Sequence, residues 1–232
     1  MRIALVGSGR MSQAIQALAR VRGIDVVTVV EGRENRAGEA LTPARLGQAE
    51  VVLEFTRPAV AVDNLTRLAQ LGARAVTGTT GWEDRLAEVT AAVNAGGGAL
   101  LHAANFSVGV QLFLRGAERL AAEFRGRPGF EGYIVEAHHR HKLDAPSGTA
   151  ARLKAAALKG DPEREFPITS IRAGAIAGVH SLTFDTPGES IRFEHTAHSR
   201  ECFAAGALAA AEWLRGRSGV FRFDEMLFGA ER

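Results

Sequence analysis

The residues best equipped for chemistry lie between positions 136 and 150, which read EAHHRHKLDAPSGTA. His138, His139, His141 and Lys142 fall within five positions. An imidazole titrates near neutral pH, so it can give or take a proton during turnover. His138 follows the apolar stretch Tyr133-Ile134-Val135, which places it at the end of a strand. Lys142 offers a fixed positive charge for a carboxylate. Ser147, Gly148 and Thr149 come after Pro146 and open an alanine-rich helical run. The free N–H groups of a helix start, reinforced by its dipole, form an anion site. Gly148 leaves the approach to that site open. Asp144 and Ser147 also suit a turn and an N-cap. Two other readings stand beside this one. The histidines could ligate a metal, although no second ligand cluster stands out and Arg140 and Lys142 would repel a cation. The segment could also be a solvated basic loop.

A second feature sits at the start. The apolar run Ile3-Ala4-Leu5-Val6 leads into Gly7, Ser8 and Gly9, and helical spacing of Ile15 and Leu18 follows. A glycine turn between strand and helix is the setting of a dinucleotide site. The first glycine permits the tight turn, and the second lets the backbone approach a pyrophosphate on the helix N-terminus. Ser12 stands where a third glycine is common. Glu31 closes the next apolar run, where an acid can bind ribose hydroxyls. Arg33 and Arg36 lie just beyond and could bind a 2′-phosphate; the alternative is that they are surface charges. The competing reading is a glycine turn of some other α/β fold, with Glu31 merely solvated.

The elements that must position these groups are legible in outline. Strand-like runs at residues 3–6, 26–30, 51–55, 74–77 and 99–103 alternate with helical stretches at 58–71 and 82–94. Continuous apolar strands alternating with helices predict βαβ units and a parallel sheet. The second half is different. A helix at 110–124 and another at 147–158 precede strands at 168–172, 180–186 and 190–196, with Pro187-Gly188 as the hairpin turn between the last two. Consecutive strands predict an antiparallel or mixed sheet, hence an α+β unit. Ile191, Phe193 and His195 alternate with Arg192, Glu194 and Thr196, which predicts one buried and one polar face. A helix at 200–214 and a short tail end the chain.

Composition narrows the function classes. The chain has 232 residues, is 46% hydrophobic and carries a formal charge of +2. That is ample for one large domain or two small ones. No basic block suggests a nucleic-acid surface. Cys202 is the sole cysteine, which excludes an internal disulfide and a multi-cysteine zinc site and suits a reducing compartment. No apolar run nears the ~18 residues of a membrane span. The first strand begins too early for a signal peptide, so the expectation is a cytoplasmic protein without membrane attachment.

Taken in order along nearly the whole chain, the motifs resemble the dihydrodipicolinate reductase family of lysine and diaminopimelate biosynthesis. The 136–150 segment resembles its signature. Phe55-Thr56-Arg57-Pro58, Gly78-Thr79-Thr80-Gly81 and residues 104–110, ANFSVGV, resemble its cofactor-side loops. Ser170, Arg172, Gly174, Gly178 and His180 resemble its substrate-domain pattern, and residues 195–207 its closing segment. The glycine loop, with Met11 and Ser12, resembles a GxGxM subgroup.

The resemblance implies a Rossmann-type nucleotide domain, residues 1–107 with 200–232. It also implies an inserted substrate-binding and tetramerisation domain, residues 108–199. His138 would be the general acid/base with Lys142 as its catalytic partner. His139, Lys142, Ser147, Gly148 and Thr149 would hold substrate carboxylates. Gly7, Ser8, Gly9, Arg10, Met11 and Ser12 would hold the pyrophosphate, and Glu31 the adenosine ribose. Gly78, Thr79 and Thr80, with Ala103, Ala104, Asn105 and Phe106, would line the nicotinamide end. The cofactor would be NADH or NADPH, the substrate a small dicarboxylate, and the assembly a homotetramer, with no metal. Two rivals are another NAD(P)-linked oxidoreductase, such as an amino-acid dehydrogenase, and a non-catalytic sensor of cofactor redox state.

Overall fold

The computed structural model describes residues 1–229. The first segment runs β1 (Arg2–Val6), α1 (Arg10–Val21), β2 (Asp25–Val30), α2 (Pro43–Leu46), β3 (Val51–Glu54), α3 (Pro58–Gln70), β4 (Arg74–Thr77), α4 (Leu86–Gly96) and β5 (Ala99–His102). The middle segment holds α5 (Val108–Phe124), β6 (Glu131–His138), α6 (Gly148–Gly160), β7 (Ile168–Arg172), β8 (Gly178–Asp185) and β9 (Ser190–Ala197). The last holds α7 (Glu201–Leu214), β10 (Gly219–Arg222) and α8 (Phe223–Phe228). The chain forms two compact units. Unit 1 is Met1–Ser107 with Glu201–Arg232, and unit 2 is Val108–Arg200.

Unit 1 is a six-stranded sheet in the order β10-β5-β4-β3-β1-β2, parallel at every pairing. Successive side chains of a strand point to opposite faces, and in this unit both faces are covered. Ile3, Leu5, Val51 and Leu53 pack with Ile15 and Leu18 of α1 and with Ala207, Leu208 and Ala211 of α7. Ala4, Val6 and Val52 pack instead with Leu65 and Leu68 of α3 and Val89 and Val93 of α4. That double burial is why the strands read as unbroken apolar runs. It produces the Rossmann-like parallel architecture that the sequence predicts.

Two expectations need correction. The short tail after the last expected helix holds two further elements: β10 pairs with β5 and adds the sixth strand, and α8 follows it. Only four residues long and on the sheet edge, β10 has one strand partner, so its sequence carries no doubly buried apolar run. The helix expected from residue 82 begins with a 3-10 turn, Glu83–Arg85, and becomes α-helical only at Leu86. Trp82 is buried ahead of it, its indole N–H donating to the Thr79 carbonyl at 2.8 Å.

Unit 2 is a mixed sheet in the order β7-β6-β8-β9. β7 runs parallel to β6, and the other pairs are antiparallel. One face, with Ile134, Leu182 and Phe184, packs against Phe113, Ala117 and Phe124 of α5 and Leu153 and Ala157 of α6. Phe124 and Phe184 stack with centroids 4.0 Å apart. On the other face Tyr133, Val135 and Ala137 are half-buried, and Ile171, Arg192 and Glu194 are exposed. The alternation expected for β9 is present in a weakened form: Phe193 and His195 are half-buried, while Ile191 at the strand start is exposed. Among the described residues no helix is long and apolar enough to cross a membrane.

Candidate active site

The chemistry-bearing groups of unit 2 are assembled by the register of its sheet. Glu136 and His138 stand two residues apart on β6 and so share a face. β7 places Ser170 beside Glu136 and Arg172 beside His138, and β8 places His180 opposite Glu136. The Glu136 carboxylate is wholly buried, and each of its oxygens is engaged. Oε2 lies 2.5 Å from His138 Nδ1, and Oε1 accepts from Arg172 Nη2 at 2.6 Å. Arg172 Nη2 also donates to the Asp144 carbonyl at 2.5 Å, which ties the loop after β6 to β7.

His180 packs edge-on against His138, with ring centroids 5.0 Å apart. Its Nε2 lies 3.1 Å from Ser147 Oγ. Ser147 is the N-cap of α6, its hydroxyl accepting from the Ala150 amide at 3.2 Å. Gly148 is exposed and Thr149 half-buried at the first turn, and that turn itself holds no acidic residue. His139 follows on the loop, with its Nδ1 buried and unpartnered. The positive charge that Lys142 was expected to offer a carboxylate is engaged by a carboxylate of the chain itself. Its ammonium donates to both oxygens of Asp144, at 2.7 and 2.9 Å. Gly178, the first residue of β8, borders His138 closely: a Cβ there would stand 3.2 Å from Nε2.

The electrostatics follow from burial and partners. Burial alone raises the Glu136 pKa, but hydrogen bonds from Arg172 and Ser170 and the charges of His138 and Arg172 outweigh it and bring it to about 2. The carboxylate is therefore ionised at every physiological pH. Burial lowers the pKa of His138; the Glu136 charge and hydrogen bond oppose that shift, and Lys142 and Arg172 add to it. Burial, with the His138 charge next, takes His180 down to about 4, so it is neutral near pH 7. The hydrogen bond from Lys142 lowers Asp144. Glu136, His138 and His180 offer three ligand atoms within 4.8 Å of one another, a grouping that only the fold brings together. The carboxylate in that group is already committed to Arg172 and His138.

In unit 1 the candidate dinucleotide residues lie in the loops that follow parallel strands or, for Arg10, Met11 and Ser12, in the first turn of α1, the end of the sheet where such folds bind ligands. Gly7 follows β1 at φ +104°, and a Cβ there would stand 2.2 Å from the Phe55 carbonyl. Gly9 caps α1 with no side-chain hydrogen bond, and the space where its Cβ would be is open. Ser8 and Arg10 are exposed and Met11 half-buried. Ser12 is buried, with its hydroxyl unpartnered. Uncapped amides, an open glycine and an orphaned hydroxyl fit the pyrophosphate of a dinucleotide. Glu31 follows β2 and is half-buried, its carboxylate 2.8 Å from Arg33 Nε.

Gly78, Thr79 and Thr80 follow β4, and Ala103, Ala104, Asn105 and Phe106 follow β5. A hub that sequence reasoning missed supports the loops after β3 and β4. Glu54, wholly buried at the end of β3, accepts from Thr77 Oγ1 at 2.6 Å, from Thr56 Oγ1 and from Asn64 Nδ2 at 3.3 Å. The Thr56 amide in turn donates to Thr79 Oγ1 at 2.8 Å. Sequence reasoning also gave no catalytic role to Glu136; it took Asp144 as a turn or capping residue, and Arg172 and His180 only as part of a substrate-domain pattern. The signal for Glu136 was present, because period-two spacing puts it on the face of His138. Arg172 and His180 carried no local signal, since strand register alone delivers them.

Residues 1–106 match the family described as "Dihydrodipicolinate reductase, N-terminus", and residues 109–227 match "Dihydrodipicolinate reductase, C-terminus". A relative from Christiangramia forsetii named 4-hydroxy-tetrahydrodipicolinate reductase is 33% identical, over 98% of both chains. One of the same name from Neisseria meningitidis serogroup B is 37% identical, over 79% of this chain and 74% of its own. Among solved structures, a dipicolinate-bound dihydrodipicolinate reductase from a Paenisporosarcina species superimposes with a TM-score of 0.76 at 22% identity, over 96% of this chain and 97% of that one. An amine dehydrogenase from Mycobacterium smegmatis shares the fold at a TM-score of 0.64 and 11% identity, over 97% of this chain and 95% of that one. With both family halves present in order and a relative matching over 98% of both chains, this chain belongs to the dihydrodipicolinate reductase family.

Proposed function

We propose a division of labour for the family's reaction, the NADH- or NADPH-dependent reduction that yields tetrahydrodipicolinate in lysine and diaminopimelate biosynthesis. Unit 1 holds the dinucleotide, and unit 2 holds the substrate and supplies the proton. The reduced nicotinamide provides a hydride when bound. Gly7 to Ser12 seat the pyrophosphate, Glu31 the ribose, and residues 78–80 and 103–106 the nicotinamide end.

The substrate ring carries two carboxylates, matching the dipicolinate in the related structure. One carboxylate takes the place of Asp144 on Lys142 and rests on the start of α6 at Gly148 and Thr149, with Ser147 and His139 alongside. Fixing it there contributes several kcal/mol through positioning. As negative charge grows toward the ring nitrogen and its neighbouring carbon, Lys142 stabilises it. His138 delivers the proton. The observation that carries this reading is a buried histidine, oriented by an ionised carboxylate and packed through His180 and Ser147 against a helix start whose first turn holds no acidic residue. The half-open face of the unit-2 sheet, with Ile171 44% exposed and Thr183 Oγ1 buried without a partner, is where copies join as a homotetramer. A single cysteine fits a cytoplasmic location.

The test is oxidation of NADH and of NADPH, with substrate generated in place from pyruvate and aspartate semialdehyde by its synthase. His138→Gln should cut turnover roughly 10²- to 10⁴-fold while cofactor affinity is unchanged. Unchanged turnover would remove His138 from the mechanism. Cofactor binding without oxidation in the unmodified protein would favour a redox sensor.

A further inference from the structure

The Glu136–Arg172 pair faces two readings. A buried arginine–carboxylate pair can be purely architectural, tying two strands together. The geometry points to more. We infer that Glu136, pinned by Arg172, is the positioning residue of the proton transfer: it fixes the tautomer of His138, aims Nε2 at the substrate and sustains the charged imidazolium. This rests on the reading of His138 as the proton donor.

The chemistry follows from which groups can donate. An ionised carboxylate only accepts hydrogen bonds. With Oε2 2.5 Å from Nδ1, the Nδ1 position carries a proton in both the neutral and the charged ring. The proton that leaves and returns is therefore the one on Nε2. Glu136 cannot turn away, because Arg172 holds its other oxygen at 2.6 Å and is itself held by the Asp144 carbonyl. The Gly178 side of the ring carries no Cβ, so Nε2 is not covered by a side chain from that residue.

Charge gives a second, independent reason. The groups facing His138 can be taken element by element. β6 brings Glu136, β7 Arg172 and β8 His180, and the loop brings Lys142 with Asp144 bound to it. β9 brings His195, which stands across from His180 rather than against His138. Arg172 and Lys142 are cations, and burial also works against an imidazolium. The carboxylate that touches the ring is Glu136. Loss of that carboxylate removes both the charge and the hydrogen bond that favour the imidazolium.

The experiment has two arms. In the unmodified protein, labelled at histidine nitrogen, the NMR shifts of His138 at high pH should report the Nδ1-protonated tautomer. A Nε2-protonated ring there overturns the inference without any variant, so a misfolded mutant cannot shield it. In the second arm, Glu136→Gln should lower kcat roughly ten- to hundredfold near neutral pH and leave the substrate KM within about threefold. The alkaline fall of kcat/KM should move to lower pH by about one unit or more, and Glu136→Asp should recover part of the loss. A Glu136→Gln enzyme with an unmoved pH profile, beside a His138→Gln enzyme that is impaired, sinks the role of Glu136 alone. If His138→Gln is also unimpaired, the underlying reading of His138 fails with it.

Discussion

Replacing His180 with glutamine should flatten the acid side of the protein's stability curve. The residue is 4% exposed, and its pKa stands at about 4 against an ordinary 6.5. Burial is the main cause, the His138 charge comes next, and Glu136 pulls the other way. On acidification the unfolded chain accepts a proton near pH 6.5, whereas the folded chain refuses it until about pH 4. Stability rises with pH wherever the unfolded state binds more protons. The contribution is therefore complete above pH 6.5 and is lost as the pH falls through that window. At about 1.4 kcal/mol per unit, the displacement amounts to about 3 kcal/mol, of which about 2 kcal/mol disappears between about pH 7 and pH 4.5.

Glutamine keeps a polar group opposite Ser147 but does not titrate. Urea unfolding followed by circular dichroism at those two pH values should show the unmodified protein losing about 2 kcal/mol more than His180→Gln. His102 is lowered as well, but it has no interaction with His180 and cancels in the difference, whereas His138 and His195 act on His180, so their coupling to it is part of what the difference reads. Equal losses in the two proteins would refute the account of His180 as a buried neutral imidazole.

Two glycines give further tests. Gly178→Ala should leave the urea midpoint close to that of the parent, yet slow turnover about tenfold, because its Cβ would press on His138 Nε2 from 3.2 Å. Steady-state kinetics beside an unfolding curve checks both halves. Gly7→Ala combines a left-handed φ of +104° with a Cβ 2.2 Å from the Phe55 carbonyl. It should cost at least about 2 kcal/mol in stability and weaken cofactor binding by more than about tenfold, read by fluorescence titration of NADH and NADPH.

What the sequence made legible follows from where the information resides. The central strands of unit 1 declare themselves because double burial demands apolar residues at most positions. The α6 start was readable from Pro146, Ser147 and Gly148, whose roles are local. The 219–222 strand was not, because an edge strand of four residues needs no pattern beyond what β5 gives it. The same division runs through the site. His138 and Lys142 drew notice by type and crowding. Lys142 is bonded to Asp144 two residues on, a contact within the reach of sequence reasoning but not drawn from it. Arg172 and His180 reach Glu136 and His138 only through long-range strand register, and a register is settled by turns and packing across the whole sheet.

The assembly of unit 1 from two separated stretches of chain has a consequence for synthesis on the ribosome. Until α7 emerges, the sheet face formed by Ile3, Leu5, Val51 and Leu53 lacks the buried Ala207, Leu208, Ala211 and Leu214 that complete its cover. Until β10 emerges, β5 presents a bare edge, the kind of surface on which nascent chains pair with one another. Unit 2 is one continuous stretch and leaves the tunnel whole before either arrives. The middle of the chain can thus close its core while the N-terminal half still waits for its last elements. A stop anywhere between residues 201 and 222 would leave that half without its full cover or its last strand.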